Sequence, residues 1–143
     1  MGAEPHPARY GKRMASLSPI DPVALTQALI AAPSVTPATG AVFDVLQSAL
    51  NPLGFTVERF IDGEAPDGPV ENLLASRGTT GKHIAFAGHL DVVPPGEGWT
   101  SGAFEPRIHG DLLYGRGAVD MKGSIAAFVA AAQKANETLC LQD

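Results

Sequence analysis

Thiols, basic charge and long apolar runs are all scarce in this chain. A single cysteine, Cys140, stands among 143 residues, so no disulfide can close within the chain, and the sequence suits a reducing compartment. Lys and Arg number 10 against 15 Asp and Glu, and the formal net charge of -5 supplies no basic footprint for nucleic acid. No segment is apolar over the roughly 20 residues of a membrane-crossing helix. Residues 1–13 are rich in proline and charge and read as neither a signal peptide nor an anchor. These absences argue against nucleic-acid and membrane partners and point to the cytoplasm.

Residues 1–13 are expected to be a disordered extension, with Met14 as an alternative start and residues 14–143 as one folded unit. Within that unit helical and strand patterns alternate. Asp21-Pro22 fits an N-cap and first helical position, and Val23, Leu25, Leu29 and Ile30 supply an apolar face that Pro33 ends. Residues 36–39 read as a turn. Val42, Phe43, Val45, Leu46, Ala49 and Leu50 repeat at helical spacing until Pro52 and Gly54. Residues 55–60 alternate like a half-buried strand, residues 70–76 give another, and residues 107–114 suggest a hairpin around Gly110 and Asp111. The Ala-rich run 123–134 predicts a closely packing helix. Ile84-Ala85-Phe86-Ala87 reads as a strand buried on both faces, the pattern of a central strand in a parallel sheet. The fold class is α/β, without an internal repeat or a second-domain boundary.

That apolar run ends in Gly88-His89-Leu90-Asp91. Positions i and i+2 of an extended chain point to one side, so an imidazole and a carboxylate leave together. One ring nitrogen can then bind a metal while the carboxylate takes the proton of the other, fixing tautomer and orientation. About thirty positions on, Gly115-Arg116-Gly117-Ala118-Val119-Asp120-Met121-Lys122-Gly123 sets a carboxylate just before a helical run. There it can offer one oxygen to each of two metals roughly 3.5 to 4 Å apart. Each half alone has an ordinary structural reading: a His-x-Asp hydrogen bond, and an Asp that caps a helix. Together, at this separation and with these glycines, they point to half of a two-zinc hydrolytic site. Zinc at such a site takes about three protein ligands plus water, so further carboxylates and another His are needed.

From about residue 22 to 134 the sequence resembles the di-zinc amidohydrolase and peptidase family of desuccinylases, deacetylases, aminoacylases and related carboxypeptidases. The similarity is densest over Ile84 to Gly96 and Leu113 to Gly123; Trp99 and Phe104 fall where the family often has a Trp and a Pro-Phe pair, with Ala103 in place of that proline. The wording is most like the desuccinylase branch, which hydrolyses N-succinyl-LL-2,6-diaminopimelate to succinate and LL-2,6-diaminopimelate in lysine biosynthesis. The resemblance implies that His89 binds one zinc, that Asp120 bridges both, that Asp91 orients His89 as a catalytic residue, and that the peptide after Asp120 is cis. It also implies two zinc ions, or cobalt in their place, a small N-acylated amino-acid substrate and a homodimer. The implied architecture is a three-layer zinc-peptidase-like catalytic domain around a mostly parallel mixed sheet.

The family further places a Glu-Glu pair after the next strand, the first Glu as general base and the second as a metal ligand, and another acidic ligand and a His near its far C-terminus. No two acidic residues are adjacent here, and His6, His83 and His109 stand in poor positions to substitute. Residues 14–143 therefore read as the N-terminal part of the catalytic domain, truncated, inactive and without the dimerisation domain, and residues 135–143 do not resemble the family. Such a fragment would bind metal weakly at best. An acetylornithine deacetylase-like or aminoacylase-like sibling stays open as an alternative, as does a non-catalytic α/β metal-binding fragment. Arg116 and Lys122 either draw a carboxylated substrate or balance local acidic charge, the second being favoured. Trp99 either lines a substrate cleft or, as favoured here, packs as a lid over strand ends.

Overall fold

The structure, a computed structural model, describes residues 17–66 and 68–139. The extension expected at residues 1–13, the alternative start Met14 and the final residues from Cys140 lie outside the described residues. The first helix, α1 (Pro22–Ala31), begins as its sequence dictates: Asp21 is the N-cap and its carboxylate accepts from the Val23 amide at 2.8 Å. Leu29 and Ile30 are buried, but Val23 faces solvent, and Thr26 takes a core position by donating its hydroxyl to the Pro22 carbonyl. Helix α2 (Ala41–Leu50) buries Val42, Phe43, Leu46 and Leu50 along one stripe. A 3₁₀ turn, Asn51–Leu53, carries Pro52 and closes at Gly54 in the left-handed region.

Strands β1 (Thr56–Asp62) and β2 (Val70–Ser76) form an antiparallel pair in the register Thr56 to Ser76 and Asp62 to Val70. Val57 and Arg59 turn inward while Phe60 turns outward, so the buried face of β1 includes a cation. Arg59 explains this by donating to Glu71 on β2 and to Asp44 and Gln47 on α2, while Glu71 also accepts from the Gly40 amide. Opposite charges joined in this way hold Arg59 above its ordinary pKa, the bond to Asp44 contributing most. Strands β3 (Arg107–His109) and β4 (Leu112–Tyr114) make the expected hairpin across Gly110 and Asp111. Helix α3 (Gly123–Leu139) runs beyond the expected end at residue 134 and packs on α1. Its Ile125, Ala126 and Val129 join Leu29, Val42, Phe43 and Leu90 in one core.

The expectation for residues 84–87 requires correction. This segment is extended but has no ladder partner among the described residues, and Ile84 is 94% exposed. Only one side packs, where the Phe86 ring stacks on Phe128 of α3 at 4.5 Å. Burial of both faces requires layers on both sides, and the described residues supply one. Both ladders are antiparallel; the sole parallel contact among the described residues is an isolated bridge between Val35 and Val92. The architecture is thus a small α/β arrangement with short antiparallel sheets. Among the described residues no helix is long and apolar enough to cross a membrane.

Candidate metal centre

Two chain segments meet at the site, and the stretch leaving α1 holds both. On the first, the Ser34 hydroxyl donates to the Leu90 carbonyl at 2.7 Å, the Val92 amide to the Ser34 carbonyl at 2.9 Å, and the Thr36 amide to the Val92 carbonyl at 3.1 Å. These bonds bracket Asp91 and fix the backbone that carries His89. On the second, Lys122 is fully buried and its ammonium donates to the Leu29 carbonyl at 2.6 Å and the Ala32 carbonyl at 3.3 Å. A cation at those carbonyls satisfies acceptors that the helix leaves free and opposes its negative end. Burial pushes the Lys122 ammonium down to about 8. Neither sequence reading of Lys122 holds: it is enclosed, pairs with no acid among the described residues, and anchors the segment after Asp120 to α1.

Between Gly117 and α3 the chain makes a π-type turn, Ala118–Lys122, in which Asp120 is extended at φ -124 and ψ 98. The Asp120–Met121 peptide is cis, as the resemblance implies. Gly117 enters the turn at φ 85, and a Cβ there would stand 2.7 Å from Val92 and 3.2 Å from Lys122. Only a residue without a side chain lets the two segments approach this closely.

The result is convergence. His89 Nε2 lies 3.0 Å from Asp120 Oδ1 across 31 residues of sequence. On the other side of the ring, Nδ1 lies 3.0 Å from the backbone carbonyl of Asp91 and 3.4 Å from its carboxylate. The sequence pairs the ring's second nitrogen with the Asp91 carboxylate; the nearer acceptor is the Asp91 carbonyl, while Thr36 Oγ1 donates to the carboxylate's other oxygen, Oδ2, at 2.6 Å. Thr36 was not foreseen, since nothing in a turn sequence reveals a bond made 55 residues away. The Asp91 carbonyl raises the His89 pKa above its ordinary value, opposed by partial burial and supported by Asp120.

His89, Asp91 and Asp120 line a cavity of about 500 Å³ with Trp99, Tyr114 and Arg116. Among the described residues Arg116 pairs with no acidic group: its Nη2 donates to the Pro95 carbonyl at 2.6 Å and its guanidinium lies 5.5 Å from the Trp99 ring centre. Trp99 donates to the same carbonyl at 2.9 Å. His83 and His109 are exposed on other segments.

Imidazole nitrogen and carboxylate oxygen are ordinary zinc donors. Two donors at roughly 2.0 to 2.2 Å from one ion stand about 3.0 to 3.5 Å apart, so the 3.0 Å separation suits a shared cation. The number of donors does not complete such a site: among the described residues no group of three or more His, Cys, Asp and Glu gathers to hold a metal.

The family model of Peptidase family M20/M25/M40 matches residues 85–142. Over 114 residues the chain is 79% identical to a succinyl-diaminopimelate desuccinylase of Sphingopyxis alaskensis, covering 79% of this chain and 30% of that protein. It is 69% identical over 117 residues to the enzyme of the same name from Novosphingobium aromaticivorans, covering 80% and 31%, and 53% identical over 117 residues to that from Zymomonas mobilis, covering 82% and 31%. The chain spans about three tenths of the length of the curated relatives it matches. It is thus similar to succinyl-diaminopimelate desuccinylases, and its residues 85–142 match the model of Peptidase family M20/M25/M40.

Proposed function

We propose that this chain carries the His89 and Asp120 part of a two-metal hydrolytic centre of the desuccinylase type. The reaction is hydrolysis of N-succinyl-LL-2,6-diaminopimelate to succinate and LL-2,6-diaminopimelate. The observation that carries the reading is the 3.0 Å approach of His89 Nε2 to Asp120 Oδ1, at the wall of a cavity and within the family's matched residues. Here His89 and Asp120 would hold metal, His89 one ion and Asp120 both, and Asp91 fixes the ring through its carbonyl while its carboxylate accepts from Thr36. Bound there, zinc, or cobalt in its place, would supply Lewis acidity toward water and the acyl carbonyl. Residues 14–143 would be part of the catalytic domain, whose finer architecture is three-layered around a mostly parallel mixed sheet.

With two donors gathered among the described residues, the isolated chain is expected to bind zinc weakly and to show negligible turnover. Zinc calorimetry on the chain, on His89→Ala and on Asp120→Asn tests this. Weak uptake by the parent that disappears in both variants supports the reading. Uptake unchanged in both, or chelator-sensitive desuccinylation by the isolated chain, overturns it.

A further inference from the structure

We propose that Arg116 is the carboxylate-recognising residue of this cavity, receiving the free carboxylate of an N-acylated amino-acid ligand on a guanidinium held against Trp99. The inference rests on the hydrolase reading for the cavity's being the substrate site, but its observations are independent of any metal. Two carboxylates, Asp91 and Asp120, line the cavity, and Arg116 is the one permanently cationic side chain that does. Among the described residues no acidic side chain forms an ion pair with it. A guanidinium carries five N–H donors, and among the described residues the side chain makes one hydrogen bond, from Nη2 to the Pro95 carbonyl at 2.6 Å. The Nε–H is enclosed with no acceptor among the described residues.

The group is nonetheless fixed. Its Cζ lies 5.5 Å from the Trp99 ring centre, and Trp99 Nε1 shares the Pro95 carbonyl at 2.9 Å, so indole and guanidinium are tied to one point of backbone. The Arg116 amide in turn donates to the Ala103 carbonyl at 2.7 Å. A cation held in place with most of its donors unused, among apolar walls from Val93, Leu112 and Leu113, matches a carboxylate on a short alkyl chain. Arginine meets carboxylates with two parallel hydrogen bonds, which a lysine cannot reproduce.

Trp99 is the only tryptophan of the sequence, so its fluorescence reports on this corner. Succinate is titrated against succinamide, its neutral isostere, at constant ionic strength. Succinate is expected to give a saturable change and succinamide none. Arg116→Gln should weaken the succinate response at least about tenfold, through loss of a charge-assisted pair. Arg116→Lys, which keeps the charge without the fork, should fall between. Equal responses to succinate and succinamide, no response to either, or undiminished affinity in folded Arg116→Gln would overturn the assignment. If that variant does not fold, the comparison of the two ligands on the parent chain still decides. Zinc calorimetry on the same sample separates the two readings. Zinc uptake without a succinate response removes the Arg116 assignment alone, whereas a succinate response without zinc uptake supports Arg116 and removes the metal centre.

Discussion

Raising the pH from 7 to 9.5 should stabilise the folded chain through Lys122, although most proteins gain nothing in that range. The buried ammonium has its pKa lowered from 10.5 to about 8 by desolvation, which corresponds to roughly 3 kcal/mol of preference for the neutral form in the folded state. The sign follows from proton counting. Below pH 8 both states carry the proton, and the folded state bears the full penalty of the enclosed charge. Between pH 8 and 10.5 the folded state releases its proton while the unfolded chain still holds one, so stability rises with pH. Linkage over pH 7 to 9.5 gives about 2 kcal/mol. Urea unfolding followed by far-UV circular dichroism at the two pH values measures it, with Lys122→Met as reference because that variant lacks the titration. The parent should gain about 2 kcal/mol on the variant. The variant itself leaves the Leu29 and Ala32 carbonyls without their donor, at about 1 to 3 kcal/mol for a buried acceptor, but that cost does not vary with pH. A stability difference that stays constant between pH 7 and 9.5 refutes the argument, and one that moves against the parent shows that bonding to the carbonyls outweighs desolvation.

Arg59→Met should cost about 2 to 3 kcal/mol in urea unfolding, because it strands the nearly buried Glu71. Asp44→Asn, at the solvent end of the same network, should cost under about 1 kcal/mol. Gly117→Ala should lower the melting temperature and shift the amide resonances of Val92 and Lys122, since its Cβ meets both at φ 85; unchanged spectra would contradict the close approach. In metal-free protein the His89 ring should titrate above 6.5 by NMR and move part of the way back in Asp120→Asn, and an unmoved titration would show that the 3.0 Å contact is absent in solution.

The parts of the fold legible in sequence are those whose causes are local. Asp21-Pro22 announces α1 because cap and first turn are neighbours, and the hairpin at Gly110 and Asp111 is written in the two residues that turn it. The glycine-framed motifs around His89 and Asp120 singled out both residues as site candidates, and the structure brings them together. What stayed hidden depends on partners far along the chain. Lys122 reads as a charge beside Asp120 until α1 is placed 93 residues upstream, and the alternation of residues 55–60 does not show that Asp44 and Glu71 gather around Arg59. Residues 84–87 show the converse failure: apolarity fixes an appetite for burial, but not whether a neighbouring layer meets it.

The segment from Leu29 to Thr36 acts as a common datum for the two halves of the centre, in the way a jig sets two workpieces. Lys122 is clamped at one end of it, and Leu90, Asp91 and Val92 at the other. One residue of extended chain advances about 3.3 Å, comparable with the 3.0 Å between His89 and Asp120. A single-residue insertion between Ala32 and Ser34 would therefore slide the imidazole past its carboxylate by a full step, while leaving every helix intact. Spacing in this connector, which contributes no atom to the pair itself, is what sets the gauge of the site.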